Sequence, residues 1–222
     1  MIIIFDLDDT LYEEKTYVES GFRAVAAFGA DRFGWDVQTS FKFMIDVLDR
    51  EGRGSIFDTW LTVNGRYSKE LVEECVRVYR HHQPKLQLYQ EASELLSKLS
   101  DYNLYIVTDG NETVQQKKVD ALSLNPLFRH IFITYRYGIH YAKPSTYCFE
   151  KIREEENCKW HDMMYVGDNP AKDFVNLKPL GVHTVRVLTG MYGTTKAQPG
   201  YDAHQTIENL GYFYPLLTKL KK

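Results

Sequence analysis

The chain has 222 residues, 44% of them hydrophobic, and a formal net charge of -3. That is enough apolar material for a substantial core in one elaborated domain or two small ones, and without a basic excess it excludes a global affinity for nucleic acid or anionic membrane. Three cysteines, Cys75, Cys148 and Cys158, show no Cys-x-x-Cys spacing, so neither a disulfide framework nor a thiolate zinc site is indicated.

Ile2-Ile3-Ile4-Phe5 opens the chain as an apolar run that reads as a strand buried on both faces, and Asp6-Leu7-Asp8-Asp9-Thr10-Leu11 follows at its end. From about Tyr12 to Gln90 no strand is evident. Helical patterns appear instead: Val18, Phe22, Val25 and Ala26; Phe41, Met44, Ile45 and Leu48; then Val72, Cys75, Val76 and Tyr79. The interval is too long for one crossover, so residues 13–89 are expected to form a small all-helical insertion, with 1–12 and 90–222 as the core. Glycines 29, 34, 52 and 54 punctuate its turns.

Beyond the insertion, Ala92, Leu95, Leu96 and Leu99 make one helical face. Short β-branched and aromatic runs then recur at Leu104 to Val107, Ile131 to Thr134, Met163 to Val166 and Val182 to Val187. A last helical face follows at Leu210, Phe213, Tyr214 and Leu217. Strands alternating with helices predict an α/β core, a Rossmann-like doubly wound parallel sheet, whose right-handed crossovers gather the strand C-termini on one edge. Asp6, Thr108 and Asp168 are expected to converge there. No apolar stretch reaches the roughly 18 to 20 residues of a membrane span, and the N-terminus lacks a secretory leader, so the cytoplasm is the expected compartment.

Each strand end carries polar groups suited to an anion or a cation. Thr108-Asp109-Gly110-Asn111 offers a hydroxyl and free backbone N–H groups at a helix start, although Asn111 as a simple helix cap explains it equally. Lys143, in Ala142-Lys143-Pro144-Ser145, can neutralise a phosphate as a point charge, and Pro144 is placed at a first helical position. In Gly167-Asp168-Asn169-Pro170-Ala171-Lys172-Asp173, Pro170 is expected to open a helix, with Asp173 about a turn further on. Four acids, Asp6, Asp8, Asp168 and Asp173, around one crevice are costly without a bound cation. With neither His nor Cys beside them, the hard cation Mg2+ fits better than zinc.

Taken together, Asp6-x-Asp8-x-Thr10, Thr108, Lys143 and Gly167-Asp168-x-x-x-x-Asp173 resemble the four-part signature of the haloacid dehalogenase superfamily of phosphatases. The resemblance spans residues 6–173 and implies a Mg2+-dependent phosphatase acting on a small phosphorylated metabolite of nucleotide or sugar-phosphate type. It implies Asp6 as nucleophile and Asp8 as general acid and base. Thr108, Asp109 and Lys143 would bind phosphate, while Asp6, the backbone carbonyl of Asp8, and Asp168 would bind metal, with Asp173 anchoring behind them. The helical insertion would be the family's mobile cap. Phe22 and Arg23 are possible substrate contacts there, though Phe22 is expected in the cap core and Arg23 serves equally as a surface charge.

Two residues depart from the commonest family pattern: Asp9 where Gly is usual and Asp109 where Asn is frequent. An acid at Asp8 argues against dehalogenation, because halide leaves without a proton, and no G-x-x-x-x-G-K-[ST] supports P-loop chemistry. A phosphomutase using the same nucleophile, and a catalytically silent binding module, are the alternatives. No nucleic acid or membrane partner is expected, and the assembly is expected to be a monomer or a homodimer.

Overall fold

The computed structural model describes residues 1–220. The chain forms two compact units, one of Met1–Glu14 with the chain from Leu86 onward, the other of Lys15–Lys85.

The larger unit is built on a six-stranded sheet: β1 (Ile2–Phe5), β2 (Asn103–Thr108), β3 (His130–Ile133), β4 (Met163–Gly167), β5 (His183–Val187) and β6 (Gln205–Ile207). The order is β3-β2-β1-β4-β5-β6 and every pairing is parallel. Strand β1 is central because its residues tolerate burial on both faces. Ile2 and Ile4 join Tyr105, Phe132, Phe149, Tyr165 and Phe174 in one core cluster. Phe5, on the opposite face, lies 5.9 Å from the Phe213 ring and 6.4 Å from the Phe128 ring.

Chain order reverses direction across β1: β2 and β3 lie on one side, β4 to β6 on the other. The register sets Phe5 level with Ile106 and Val166. Residues just past Phe5, Thr108 and Gly167 therefore meet at the carboxyl edge, where open α/β sheets hold their ligands.

Helices α5 (Gln90–Lys98), α6 (Glu112–Ala121), α7 (Tyr147–Glu155) and α8 (Phe213–Leu220) belong to this unit. Helix α6 starts where the side chain of Asn111 accepts the N–H of Val114, so Asn111 caps it as the sequence indicates. Two expectations are corrected here. Helix α7 begins at Tyr147, three residues beyond Pro144, and Ser145 and Thr146 fill the turn between. No α-helix follows Pro170 either; the chain runs through turns and a short 3-10 segment at Lys178–Leu180. The reason is local: the carboxylate of Asp173 turns back to accept the N–H of Asn169, folding the segment onto itself. Tyr214 is only half-buried, whereas Leu210, Phe213 and Leu217 are buried as expected.

The smaller unit contains most of α1 (Glu14–Phe33) together with α2 (Val37–Glu51), α3 (Ile56–Val63) and α4 (Lys69–His81). Its core gathers Val18, Phe22, Val25, Ala26, Met44, Trp60 and Cys75, so Phe22 packs internally. The Arg23 guanidinium lies over the Phe41 ring at 3.9 Å, a cation–π contact on the helical surface. Gly29 is obligatory where α1 meets Trp60, because a Cβ there would lie 2.6 Å from the indole. Among the described residues, no helix is long and apolar enough to cross a membrane.

Candidate active site

The turn after β1 is rigidly made. Asp6 accepts the backbone N–H of Leu7 on Oδ1 at 2.8 Å, and its own N–H reaches across to Val166 O, also at 2.8 Å. Asp9 occupies the left-handed region at φ 53°, where a side chain is unfavourable unless locally tied. It is tied on three sides. Its Oδ1 accepts Glu14 N–H, its Oδ2 accepts Met191 N–H, and its carbonyl accepts the Thr189 hydroxyl. Gly190 has to be glycine for this brace to close, since a Cβ there would fall 2.0 Å from the Asp9 carboxyl carbon.

Lys143 is the hub of the buried charge. Its Nζ lies 2.8 Å from Asp6 Oδ2, 2.9 Å from Asp173 Oδ1 and 2.8 Å from the Tyr165 hydroxyl, which uses all three ammonium protons. Burial disfavours the ammonium, but the charges of Asp173 and Asp6 outweigh it and hold Lys143 well above the usual lysine range. The second oxygen of Asp173 accepts Asn169 N–H at 2.9 Å, so Asp173 is held on both oxygens.

One carboxylate oxygen from each of Asp6, Asp168 and Asp173 lies within 4.8 Å of the others, and all three residues are buried. Burial, only partly opposed by Lys143 and reinforced by Asp173, pushes Asp6 up to about 6. Burial and then repulsion from Asp6 and Asp173 push Asp168 up to about 9. No donor among the described residues is hydrogen-bonded to Asp168. An oxygen-only cluster short of positive charge fits Mg2+, with Asp6 and Asp168 as the carboxylates to hold it and Asp173 already committed to the protein.

Asp8 points elsewhere. Its Oδ1 accepts the Tyr12 hydroxyl at 2.6 Å and Lys118 Nζ at 2.7 Å, and its Oδ2 accepts Gln115 Nε2 at 2.9 Å. Burial raises Asp8, but the Lys118 ammonium and these donors prevail and hold it below the ordinary carboxyl value. Thr108 is buried with its hydroxyl oxygen 2.7 Å from Gln115 Nε2. The Asp109 carboxylate is taken up by the Thr134 hydroxyl, Lys143 N–H and Lys172 Nζ at 2.9, 3.0 and 2.8 Å. Any hold of Asp109 on an oxyanion therefore runs through its backbone.

The sheet edge thus brings together Asp6, Thr108, Lys143, Asp168 and Asp173, with Asp8 beside them. Sequence reading missed Gln115, Lys118, Tyr12, Tyr165 and Lys172. A signal existed for two of these. Glu112–Ala121 contains few apolar residues for a helix packed on a sheet, so its inner face had to be completed by polar side chains, and those are Gln115 and Lys118 beside Val119.

Comparison with known proteins follows the same lines. The glyceraldehyde 3-phosphate phosphatase of Methanocaldococcus jannaschii is 28% identical over 229 residues, covering 99% of this chain and 98% of that protein. That of Pyrococcus furiosus is 29% identical over 201 residues, 86% of this chain and 82% of that one. Among solved structures, the HAD-hydrolase YfnB from Bacillus subtilis, bound to magnesium, aligns with a TM-score of 0.70 at 20% identity over 97% of both chains. A 2-haloacid dehalogenase from Pseudomonas syringae aligns at 0.66 and 22% identity, over 99% of this chain and 100% of that one. These two likenesses carry the fold. The model of the haloacid dehalogenase-like hydrolase family matches residues 3–187, from the second residue of the buried strand to the end of β5, and the chain is therefore a hydrolase of that family.

Proposed function

We propose that the chain hydrolyses a small sugar-phosphate monoester with Mg2+, through an aspartyl-phosphate on Asp6. The observation that carries this is the placing of Asp6, ion-paired to Lys143 at 2.8 Å and clustered with Asp168, at the point where the strand order reverses. The Asp6 carboxylate attacks phosphorus while the bond to the leaving oxygen breaks. Asp8 gives that oxygen its proton, then takes one from the water that displaces Asp6 and releases phosphate. The incoming phosphoryl dianion beside Asp8 raises its proton affinity, which offsets the pull of Lys118 during the first step.

Lys143, the Thr108 hydroxyl and the turn N–H groups neutralise the equatorial oxygens. Mg2+ held by Asp6, Asp168 and the Asp8 carbonyl would add Lewis-acid neutralisation of the same oxygens. The acid at Asp8 favours departure of an alkoxide over that of a halide. Glyceraldehyde 3-phosphate, the substrate in the names of the relatives from M. jannaschii and P. furiosus, is the first candidate.

The test is a panel of triose, pentose and hexose phosphates, nucleoside monophosphates and p-nitrophenyl phosphate, run with Mg2+ and with chelator. Mg2+-dependent phosphate release with a triose phosphate among the best substrates is expected. Release that survives exhaustive chelation removes the metal, and no release across the panel removes the phosphatase reading. Product that is an isomerised sugar phosphate with little free phosphate would indicate a mutase.

Stability should report the metal site independently. Between the ordinary carboxyl value near 4 and about 9, the folded protein binds more protons at Asp168 and Asp6 than the unfolded chain does. Stability in chelator should therefore fall as pH rises through that window. Mg2+ has to displace the Asp168 proton, so its binding tightens and its stabilisation grows with pH. Melting curves with and without Mg2+ at about pH 5 and about pH 9 should show the larger Mg2+ increment at the higher pH. An equal increment at both would contradict this, as would an unchanged pH slope in Asp168→Asn.

A further inference from the structure

We infer that Gln115 and Lys118 of α6 are positioning residues that aim Asp8 and Thr108. The inference rests on the phosphatase reading above and adds to it which atoms do the work.

A carboxylate offers about four lone-pair sites. Two donors, Tyr12 and Lys118, occupy Asp8 Oδ1, while Oδ2 receives only the Gln115 amide. The remaining site on Oδ2 is the place where a proton can be carried. Lys118 is itself held, with 3% of its side chain exposed and a Glu14 carboxylate oxygen 3.6 Å from its Nζ. Its ammonium is fixed in place by surrounding protein, so the rotamer of Asp8 is fixed with it.

Gln115 sets a second orientation. An ionised carboxylate can only accept, so the group facing Asp8 is the NH2 of the amide. The same nitrogen lies 2.7 Å from Thr108 Oγ1, and its second proton goes there. The Thr108 hydroxyl, having accepted that bond, keeps its own proton for an outside acceptor. One buried amide thus links the acid–base oxygen to the phosphate-binding hydroxyl and turns the latter into a donor toward a phosphoryl oxygen. Gln115 and Lys118 are one helical turn apart and both buried, a placement that costs solvation and is compensated only by these partners.

The experiment exploits leaving-group chemistry. p-Nitrophenolate departs without a proton, whereas an alkoxide needs one, and kcat/KM reports the step in which it leaves. For Lys118→Met and Gln115→Leu, kcat/KM should fall about 100-fold with the best alkyl phosphate of the panel but less than about tenfold with p-nitrophenyl phosphate. Lys118→Arg should recover part of the alkyl-phosphate loss. Circular dichroism checks that each variant is folded, and should Lys118→Met fail that check, Gln115→Leu and Lys118→Arg carry the test. Equal losses on both substrates in folded variants would overturn the inference while leaving the phosphatase reading intact. No release from either substrate by the unaltered protein would overturn both.

Discussion

Asp6→Asn is expected to lower kcat/KM by roughly 10⁴-fold or more while leaving the melting temperature close to that of the unaltered protein. The two halves of this expectation have separate causes. Asn has the same shape as Asp and keeps an acceptor for Leu7 N–H; its NH2 no longer accepts from Lys143, but that ammonium keeps Asp173 at 2.9 Å and Tyr165 at 2.8 Å. Removing one of several crowded negative charges also relieves part of the repulsion that, after burial, raises Asp168 to about 9. Chemistry is lost because a neutral amide is a poor nucleophile toward phosphorus and cannot form the acyl phosphate. Steady-state assay beside a thermal melt checks both halves. Near-normal turnover in a folded variant would remove Asp6 as nucleophile.

Asp8→Asn should lower kcat on an alkyl phosphate on the order of 10²–10⁴-fold. Its effect on p-nitrophenyl phosphate should be divided between the two steps. Formation of the phosphoryl enzyme needs no proton for that leaving group and should continue, whereas hydrolysis needs a base for the attacking water and should stall. The phosphoryl enzyme is therefore expected to accumulate, visible as a burst of nitrophenolate close to one per protein followed by slow turnover. A uniform slowing with no burst would separate Asp8 from the second step.

The fold was largely legible because its signals are local and repeated. Ile2 to Phe5 is apolar at every position, as a strand covered on both faces requires, and the recurrence of such short runs with helices between them points to a parallel sheet. The helical interval stood out by its lack of any strand. Strand β6, Gln205–Ile207, has three residues, two of them exposed, and so offers no period to read. The segment after Asn169-Pro170 carries an ordinary helix-start pattern, overridden because Asp173 is drawn back to Asn169 and Lys143.

The site divides in the same way. Asp6, Thr108, Lys143 and Asp168 were readable because each lies in a short motif at the edge of the sheet. Gln115 and Lys118 were indicated only by the shortage of apolar residues in Glu112–Ala121, which shows that polar side chains complete its inner face but not what they touch. Their role arises only when α6 packs above a carboxylate more than a hundred positions earlier in the chain. Lys172 is similar: sequence places it in the loop with Asp173, and tertiary structure pairs it with Asp109 at 2.8 Å.

The most direct test of the covalent route is to locate the phosphoryl group. Asp8→Asn is mixed with p-nitrophenyl phosphate and Mg2+, quenched in acid during the slow phase, and digested for peptide mass spectrometry. The result expected is one added phosphoryl group on the N-terminal peptide, at Asp6, lost on treatment with hydroxylamine as an acyl phosphate should be. Nitrophenolate release with Asp6 unmodified throughout, or a phosphoryl group on any other residue, would contradict the account.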